Sequence, residues 1–322
     1  MQRLNLVGAG RVGKTLARLW HMHDRLQIQD VLTTSSTSAA AAIDFIGAGH
    51  AVTSLADMRP ADLWMIATPD GQIADMARQL AEVQTKVQGS HAGTEDLGGR
   101  ALCSVSPARF TGSSLTYAEH PATQTPSPGG PLVFHGSGAL ACDVLAPLRD
   151  LGWRTASAHC ILSFATPFVA VTQFTSTACA LEGDPLACAT LRAAFTAIGA
   201  RCFKVASDDK LLYHAAAVFA TNFLPVLQSV AEDLWRSTGV PPALIPDLRA
   251  SLLTNAVANI TALGPHGALT GPAARGDIAA IARQGAAVAN WSSDAGAAYS
   301  ALSALALQMA QARTQGTASD KA

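Results

Sequence analysis

Charge is scarce in this chain. Only 14% of its 322 residues are Asp, Glu, Lys or Arg, and the 22 basic and 23 acidic side chains nearly cancel. Without a basic field, nothing in the sequence draws a nucleic-acid backbone or an anionic membrane. Paired cysteines are missing too. The six cysteines (Cys103, Cys142, Cys160, Cys179, Cys188 and Cys202) form no C-x-x-C pair and no regular spacing. That excludes a zinc site and a disulfide framework, and leaves them as small buried hydrophobes of a reducing compartment. His21-x-His23, His91, His120 and His266 have no carboxylate or Cys partner at ligand spacing, so no metal is expected. The N-terminal apolar run is cut by glycines, so no signal peptide is expected. The most apolar later stretch, Ala215 to Ala231, contains Thr221, Asn222, Pro225 and Gln228 and reads as a buried helix, not a membrane span. These absences predict a soluble, cytoplasmic protein.

Apolar residues are abundant, at 49% and rich in alanine, as in a well-buried, helix-rich protein. The length favours two domains. The strongest pattern stands at the front: Leu4-Asn5-Leu6-Val7 runs into Gly8-Ala9-Gly10-Arg11-Val12-Gly13, and Lys14 to Trp20 then reads as a helix. This is the strand, tight turn and helix start of a dinucleotide-binding βαβ unit. Gly8 makes the turn, Gly10 lets the backbone approach a pyrophosphate and Gly13 lets helix pack on strand. The anion sits on the unpaired N–H groups of the helix start.

A second strand over 27–32 ends in Thr33-Thr34-Ser35-Ser36, where an NAD-binding fold places an acid for the ribose 2′-hydroxyl. No acid is there. Hydroxyls at Thr34, Ser35 and Ser36, with Arg11 nearby, suit a 2′-phosphate and point to NADP(H) over NAD. Ser35 or Ser36 also suits the cap of the helix expected over 38–46. Strands are expected at 50–55 and 62–67, the latter ending in Thr68-Pro69-Asp70-Gly71 on the ligand edge of the sheet. Asp70 is read as a substrate or ribose contact or as the cap of a helix over 72–82. From 86 to 131 the pattern weakens into a Gly-, Ser-, Thr- and Pro-rich insertion. A strand over 132–134 leads to His135-Gly136-Ser137-Gly138, where His135 and Ser137 are candidate cofactor or substrate contacts and Ser137 an equal candidate for capping a helix over 139–151. Strands at 154–159, 177–181 and 201–205, with a helix over 185–198, complete a Rossmann-like α/β domain over 1–206. Residues 207–322 are helical almost throughout, with Pro225 bending the first helix and the end from Gly316 frayed.

The glycine loop, His135-x-Ser137-Gly138, the run Tyr213-His214-Ala215-Ala216-Ala217-Val218-Phe219-Ala220-Thr221-Asn222, and Leu269-Thr270-Gly271-Pro272-Ala273-Ala274-Arg275-Gly276-Asp277 together carry a resemblance. The chain resembles the short-subunit dehydrogenase-like oxidoreductases, and more distantly ketopantoate reductase, pyrroline-5-carboxylate reductase and the 6-phosphogluconate dehydrogenase-like proteins. The resemblance implies a Rossmann-like domain followed by an all-α 6-phosphogluconate dehydrogenase C-terminal-like domain, NADP(H) binding, a cleft between the domains and a homodimer formed through the helical domain. β-Hydroxyacid dehydrogenases carry a Lys with an Asn four residues later. Here Lys210 has His214 at that distance, and Asn222 comes later.

Lys210 and His214 are one helical turn apart. Asn222, at about 100° per residue, is rotated by about 80° from His214. His214 is the candidate general acid/base, Asn222 the substrate-orienting group and Lys210 a supporting group. Thr270 and Arg275 are candidate anion contacts, or Gly276 and Asp277 simply punctuate and cap the next helix. The function expected is an NADP(H)-dependent oxidoreductase transferring a hydride to or from a small polar metabolite bound between the domains. The alternative is a non-catalytic NADP(H)-binding sensor or scaffold.

Overall fold

Alternation of apolar side chains on short strands forces this sheet to be covered on both faces. In β1 (Gln2–Val7) and β4 (Leu63–Ile66), Leu4, Leu6, Leu63 and Met65 enter one core, while Val7, Trp64 and Ile66 enter the other. The computed structural model describes residues 1–92 and 130–319. Its sheet is completed by β2 (Leu26–Leu32), β3 (His50–Val52), β5 (Leu132–His135), β6 (Arg154–Cys160), β7 (Ala178–Gly183) and β8 (Arg201–Lys204). The order is β3-β2-β1-β4-β5-β6-β7-β8. The first six strands are parallel, β7 runs against β6, and β8 is parallel to β7. The chain therefore has the strand order of a Rossmann sheet extended by a reversed pair.

The helices of this unit are α1 (Arg11–Met22), α2 (Ser36–Ile46), α3 (Asp70–Ala92), α4 (Ala146–Arg149), α5 (Pro167–Gln173), α6 (Pro185–Thr196) and α7 (Lys210–Ala217). Trp20 of α1 anchors the first core. It meets Phe134 and Phe195 edge-on and donates its indole N–H to the Ala194 carbonyl at 3.0 Å. Asp30, fully buried inside β2, accepts from Arg59 at 2.5 Å and from the Arg59 amide at 2.7 Å. It braces the strand from within and is not a ribose ligand at the strand's end.

Three expectations change in this unit. Residues 139–151 do not form one helix: a 3₁₀ turn at Cys142–Leu145 leads into the short α4, because side chains of Ser137 and Glu182 claim the amides of Ala139, Leu140 and Cys142. Helix α3 continues through residues 86–92, assigned above to the insertion. The remainder of that insertion, through 129, lies outside the described residues, as do Cys103 and His120. Helix α5 was not anticipated. It follows β6 and packs on α1.

Contacts divide the chain into Met1–Ala217 and Val218–Ala322, so α7, assigned above to the helical domain, belongs with the sheet. The second unit opens with a π-helical turn at Val218–Asn222 and continues as α8 (Phe223–Ser237), α9 (Ile245–Ala268), α10 (Gly271–Arg275), α11 (Ile278–Trp291) and α12 (Ser293–Ser319). Pro225 lacks an N–H and its ring crowds the carbonyl four residues back, and the widened turn ends just before it. A kink at Gly264 precedes Pro265 in α9. Asp277 caps α11, accepting from the Ala280 amide at 2.9 Å, which bears out the capping role. Residues 316–319, expected to fray, continue α12, while 320–322 are outside the described residues.

The stretch read as a buried helix is not buried. Phe219 is 65% exposed and Val226 57%. Composition makes a segment apolar but does not supply it with a partner. By length and composition Ser207–Ser237 is long and apolar enough to cross a membrane. Its first turn, however, is fixed in the α/β unit by the buried side chain of Lys210.

Candidate active site

Where the sheet order reverses, between β1 and β4, a groove of about 760 Å³ opens at the strands' C-terminal ends. Its lining includes Gly8, Ala9, Gly10, Thr34, Thr68 and Pro69. Gly8 has φ +88°, a conformation other residues adopt only with strain. A Cβ on Gly13 would fall 2.8 Å from the Ala67 Cβ, so helix and strand pack only because it is absent. Gly10 differs from both. Its φ is ordinary, −65°, and a Cβ there would meet nothing closer than 3.7 Å. The fold itself does not require glycine at this position. Thr68 supplies a second unfilled demand, since its buried hydroxyl has no hydrogen-bond partner. The donor set and space fit a dinucleotide.

The sequence candidates divide within this region. Val12 sits beside Gly136, and Arg11 reaches away to the Ala165 carbonyl at 3.4 Å. The Ser35 hydroxyl accepts from the Ser38 amide at 3.2 Å and donates to the Ser38 hydroxyl at 3.0 Å, so it is spent capping α2. Ser36 lines an adjoining hollow with His50 and Arg59. Thr34 lines the groove with Ser38.

A buried polar chain lies beyond Pro69, at the ends of β5 and β6. Ser137 donates to Asp70 at 2.6 Å and accepts from the amides of Ala139 and Leu140 at 3.2 and 3.0 Å. Ser137 thus staples its own turn, and Asp70 orients it. His135 is fully buried: its Nδ1 accepts from the Ser137 amide at 3.2 Å, which leaves Nε2–H to donate to the Ala141 carbonyl at 3.2 Å. Burial holds its pKa down to about 4. With both nitrogens committed to backbone, His135 supports the turn.

Lys210, 1% exposed, donates to the Ser137 carbonyl at 3.0 Å and to the Ser157 hydroxyl at 2.6 Å. Ser157 in turn donates its hydroxyl to Glu182 at 2.8 Å. Glu182 also accepts from the Cys142 amide and the Ser207 hydroxyl, at 2.9 and 2.7 Å. Burial pushes the Glu182 carboxyl up, but the donors from Ser207, Cys142 and Ser157 outweigh it and hold it below its usual range. Burial lowers the Lys210 ammonium, and Glu182 opposes that. Lysine and glutamate are therefore joined through one hydroxyl.

Next to this chain stand three aromatic groups. His159, near the end of β6, has its Nδ1 2.8 Å from the Tyr213 hydroxyl and its ring edge-on to His214 at 5.5 Å. The His214 Nδ1 is buried without a partner, packed on Gly138. Burial, reinforced by His214 and Lys210, holds His159 down to about 4. Sequence reading missed His159, Tyr213 as a side chain with a role, Ser157 and Glu182. The available signal was position, since His159 closes a strand on the ligand edge. Asn222 belongs to the second unit, where its amide oxygen accepts from Thr221 at 2.9 Å. Among the described residues no cluster of His, Cys, Asp or Glu could hold a metal.

Residues 177–306 match a family described as a domain of unknown function, DUF2520. No curated protein matches the chain in sequence. Among solved structures it is similar to protein TM1727 of Thermotoga maritima (20% identity, 97% of this chain and 99% of that one, TM-score 0.66). A Bacteroides fragilis protein, BF3122, provisionally assigned as an NADP oxidoreductase, is similar at 19% identity, over 95% and 98% of the two chains, with a TM-score of 0.64. The pyrroline carboxylate reductase of Plasmodium falciparum, solved with NADP bound, is similar at 10% identity over 96% and 98%, with a TM-score of 0.50. The fold is thus a Rossmann-like α/β unit with a helical C-terminal region.

Proposed function

We propose that this protein is an NADP(H)-dependent oxidoreductase of the short-subunit dehydrogenase-like kind, acting on a small polar metabolite. The observation that carries the reading is Gly10, a glycine unexplained by the protein's own packing, which lines the same groove as an unpaired Thr68 hydroxyl. The names of the similar bacterial and Plasmodium proteins agree with it.

In this reading the loop Gly8–Gly13 and the first amides of α1 hold the pyrophosphate, and Thr34 and Ser38 take the 2′-phosphate. A nicotinamide held there would supply or accept a hydride at a carbon of a C=O or C=N group. The chain's own residues handle the accompanying proton. His214 Nδ1 is packed against Gly138 without a partner, which leaves Nε2 as the nitrogen to meet a substrate oxygen or nitrogen. Lys210, engaged on Ser137 and Ser157, fixes the first turn of α7 and hence the placement of His214.

The partners proposed are a small-molecule substrate and a second copy of the chain. Exposed Leu252, Val257 and Ile260 on α9 and Val226 and Leu227 on α8 support a homodimer through the helical region. The near-balance of charge gives no strong field that would draw a nucleic-acid backbone.

Fluorescence titration with NADPH and NADH tests the reading. Micromolar NADPH affinity with much weaker NADH binding is expected, and absence of binding by both cofactors refutes it.

A further inference from the structure

We infer that His159, held by Tyr213, is a hydrogen-bond donor to substrate at this site, working beside His214. The inference rests on the oxidoreductase reading above and assigns a role to a side chain outside the residues first singled out.

The argument begins with Gly138. A Cβ there would overlap the His214 Nδ1 and lie 2.8 Å from the His159 Nε2, so both rings lean on one backbone position, which must be glycine to admit them. That position follows Ser137, whose carbonyl holds Lys210 and whose hydroxyl holds Asp70. Two imidazoles are thereby set against the same turn, on the edge of the sheet where ligands bind in this fold.

Tyr213 then decides what His159 can do. Its hydroxyl lies 2.8 Å from Nδ1, and burial raises the phenol's pKa, so the O–H keeps a proton, which in this inference it donates to Nδ1. Nδ1 is the acceptor, and the ring proton is fixed on Nε2, the nitrogen facing the turn. The groups acting on His159 are His214 and Lys210, which oppose its protonation, and Asp70, which favours it. The ring is thus a neutral donor aimed by a tyrosine, a form suited to polarising a carbonyl without carrying charge. For a carbonyl substrate, His159 Nε2–H hydrogen-bonds the oxygen. A hydride delivered to the carbon would send the π pair to oxygen, and the proton that oxygen then needs would come from solvent, relayed through His214. His159 keeps its own.

The test uses the full-length protein labelled with ¹⁵N-histidine. Two-bond ¹⁵N–¹H spectra across a pH titration report tautomer and charge ring by ring. His159 is expected as the Nε2–H tautomer, uncharged from about pH 5.5 upward. Tyr213→Phe is expected to mix its tautomers or raise its titration midpoint, and NADPH added as the probe to shift the His159 and His214 rings together. A Nδ1–H tautomer overturns the proposal, as does a His159 indifferent to both Tyr213→Phe and NADPH. NADPH that binds while both rings stay unmoved sinks this inference alone. NADPH that does not bind sinks the reading beneath it, and the inference falls with it. Because Tyr213→Phe removes one oxygen and keeps the ring, the comparison does not depend on a large change in the core.

Discussion

The ammonium of Lys210 lies 2.6 Å from the hydroxyl of Ser157, and that hydroxyl donates to Glu182. A lysine that is 1% exposed and a glutamate that is 2% exposed are thus coupled without touching. Breaking the coupling from one side leaves an uncompensated buried charge. Lys210→Met is expected to cost about 3–5 kcal/mol in urea denaturation, and the double change Lys210→Met with Glu182→Gln to cost less than Lys210→Met alone. Additive losses would show that the two charges do not sense each other.

Acid sensitivity follows from the buried rings. His135 is held at about 4, and a histidine in the unfolded chain titrates near 6.5. Between those values the unfolded state binds more protons, so the contribution is complete above 6.5 and is lost as pH falls toward 4. From pH 7.5 to 5 this residue alone is expected to remove about 2 kcal/mol of stability. Glu182, also held below its usual range, adds loss at still lower pH. Urea midpoints measured at the two pH values should fall on acidification, with a shallower fall in His135→Asn. An equal fall in both proteins removes His135 as the cause.

Two glycines of one loop should separate fold from ligand. Gly13→Ala forces a Cβ to 2.8 Å from that of Ala67 and is expected to cost about 1–3 kcal/mol of stability. Gly10→Ala meets only an ordinary contact at 3.7 Å, so its thermal midpoint should match the parent while NADPH affinity drops at least about tenfold, or about 1.4 kcal/mol. Parental NADPH affinity in Gly10→Ala would remove the observation on which the functional proposal stands.

Cofactor choice should answer to Thr34. It lines the groove at the end of β2, a place without an acid. Thr34→Asp is expected to weaken NADPH binding at least about tenfold, through repulsion of the 2′-phosphate, and to improve NADH binding. Unchanged selectivity would move the 2′-phosphate site elsewhere, with Ser36 and its neighbours His50 and Arg59 the next place to look.

Local chemistry was the legible part. A glycine loop between strand and helix, an Asp277 cap and a Ser137 staple each depend on neighbours within a few residues, and all are read from sequence alone. His159 and Tyr213 are 54 residues apart, and only the folding of α7 against the sheet makes them partners. The break in 139–151 was equally hidden, since Glu182 reaches the Cys142 amide from 40 residues away. Ala215 to Ala231 shows a different limit. Hydropathy records that a helix prefers to be covered and is silent on whether its own chain does the covering.

The reversal of β7 also has a hereditary side. Ser157 and Glu182 face each other across the antiparallel junction of β6 and β7. Sliding β7 by a single residue would turn the carboxylate to the opposite face. The terminal strand pair and the lysine of α7 are therefore expected to be inherited together: descendants that shed β7 and β8, or shift their register, should also have replaced Lys210 with an uncharged residue.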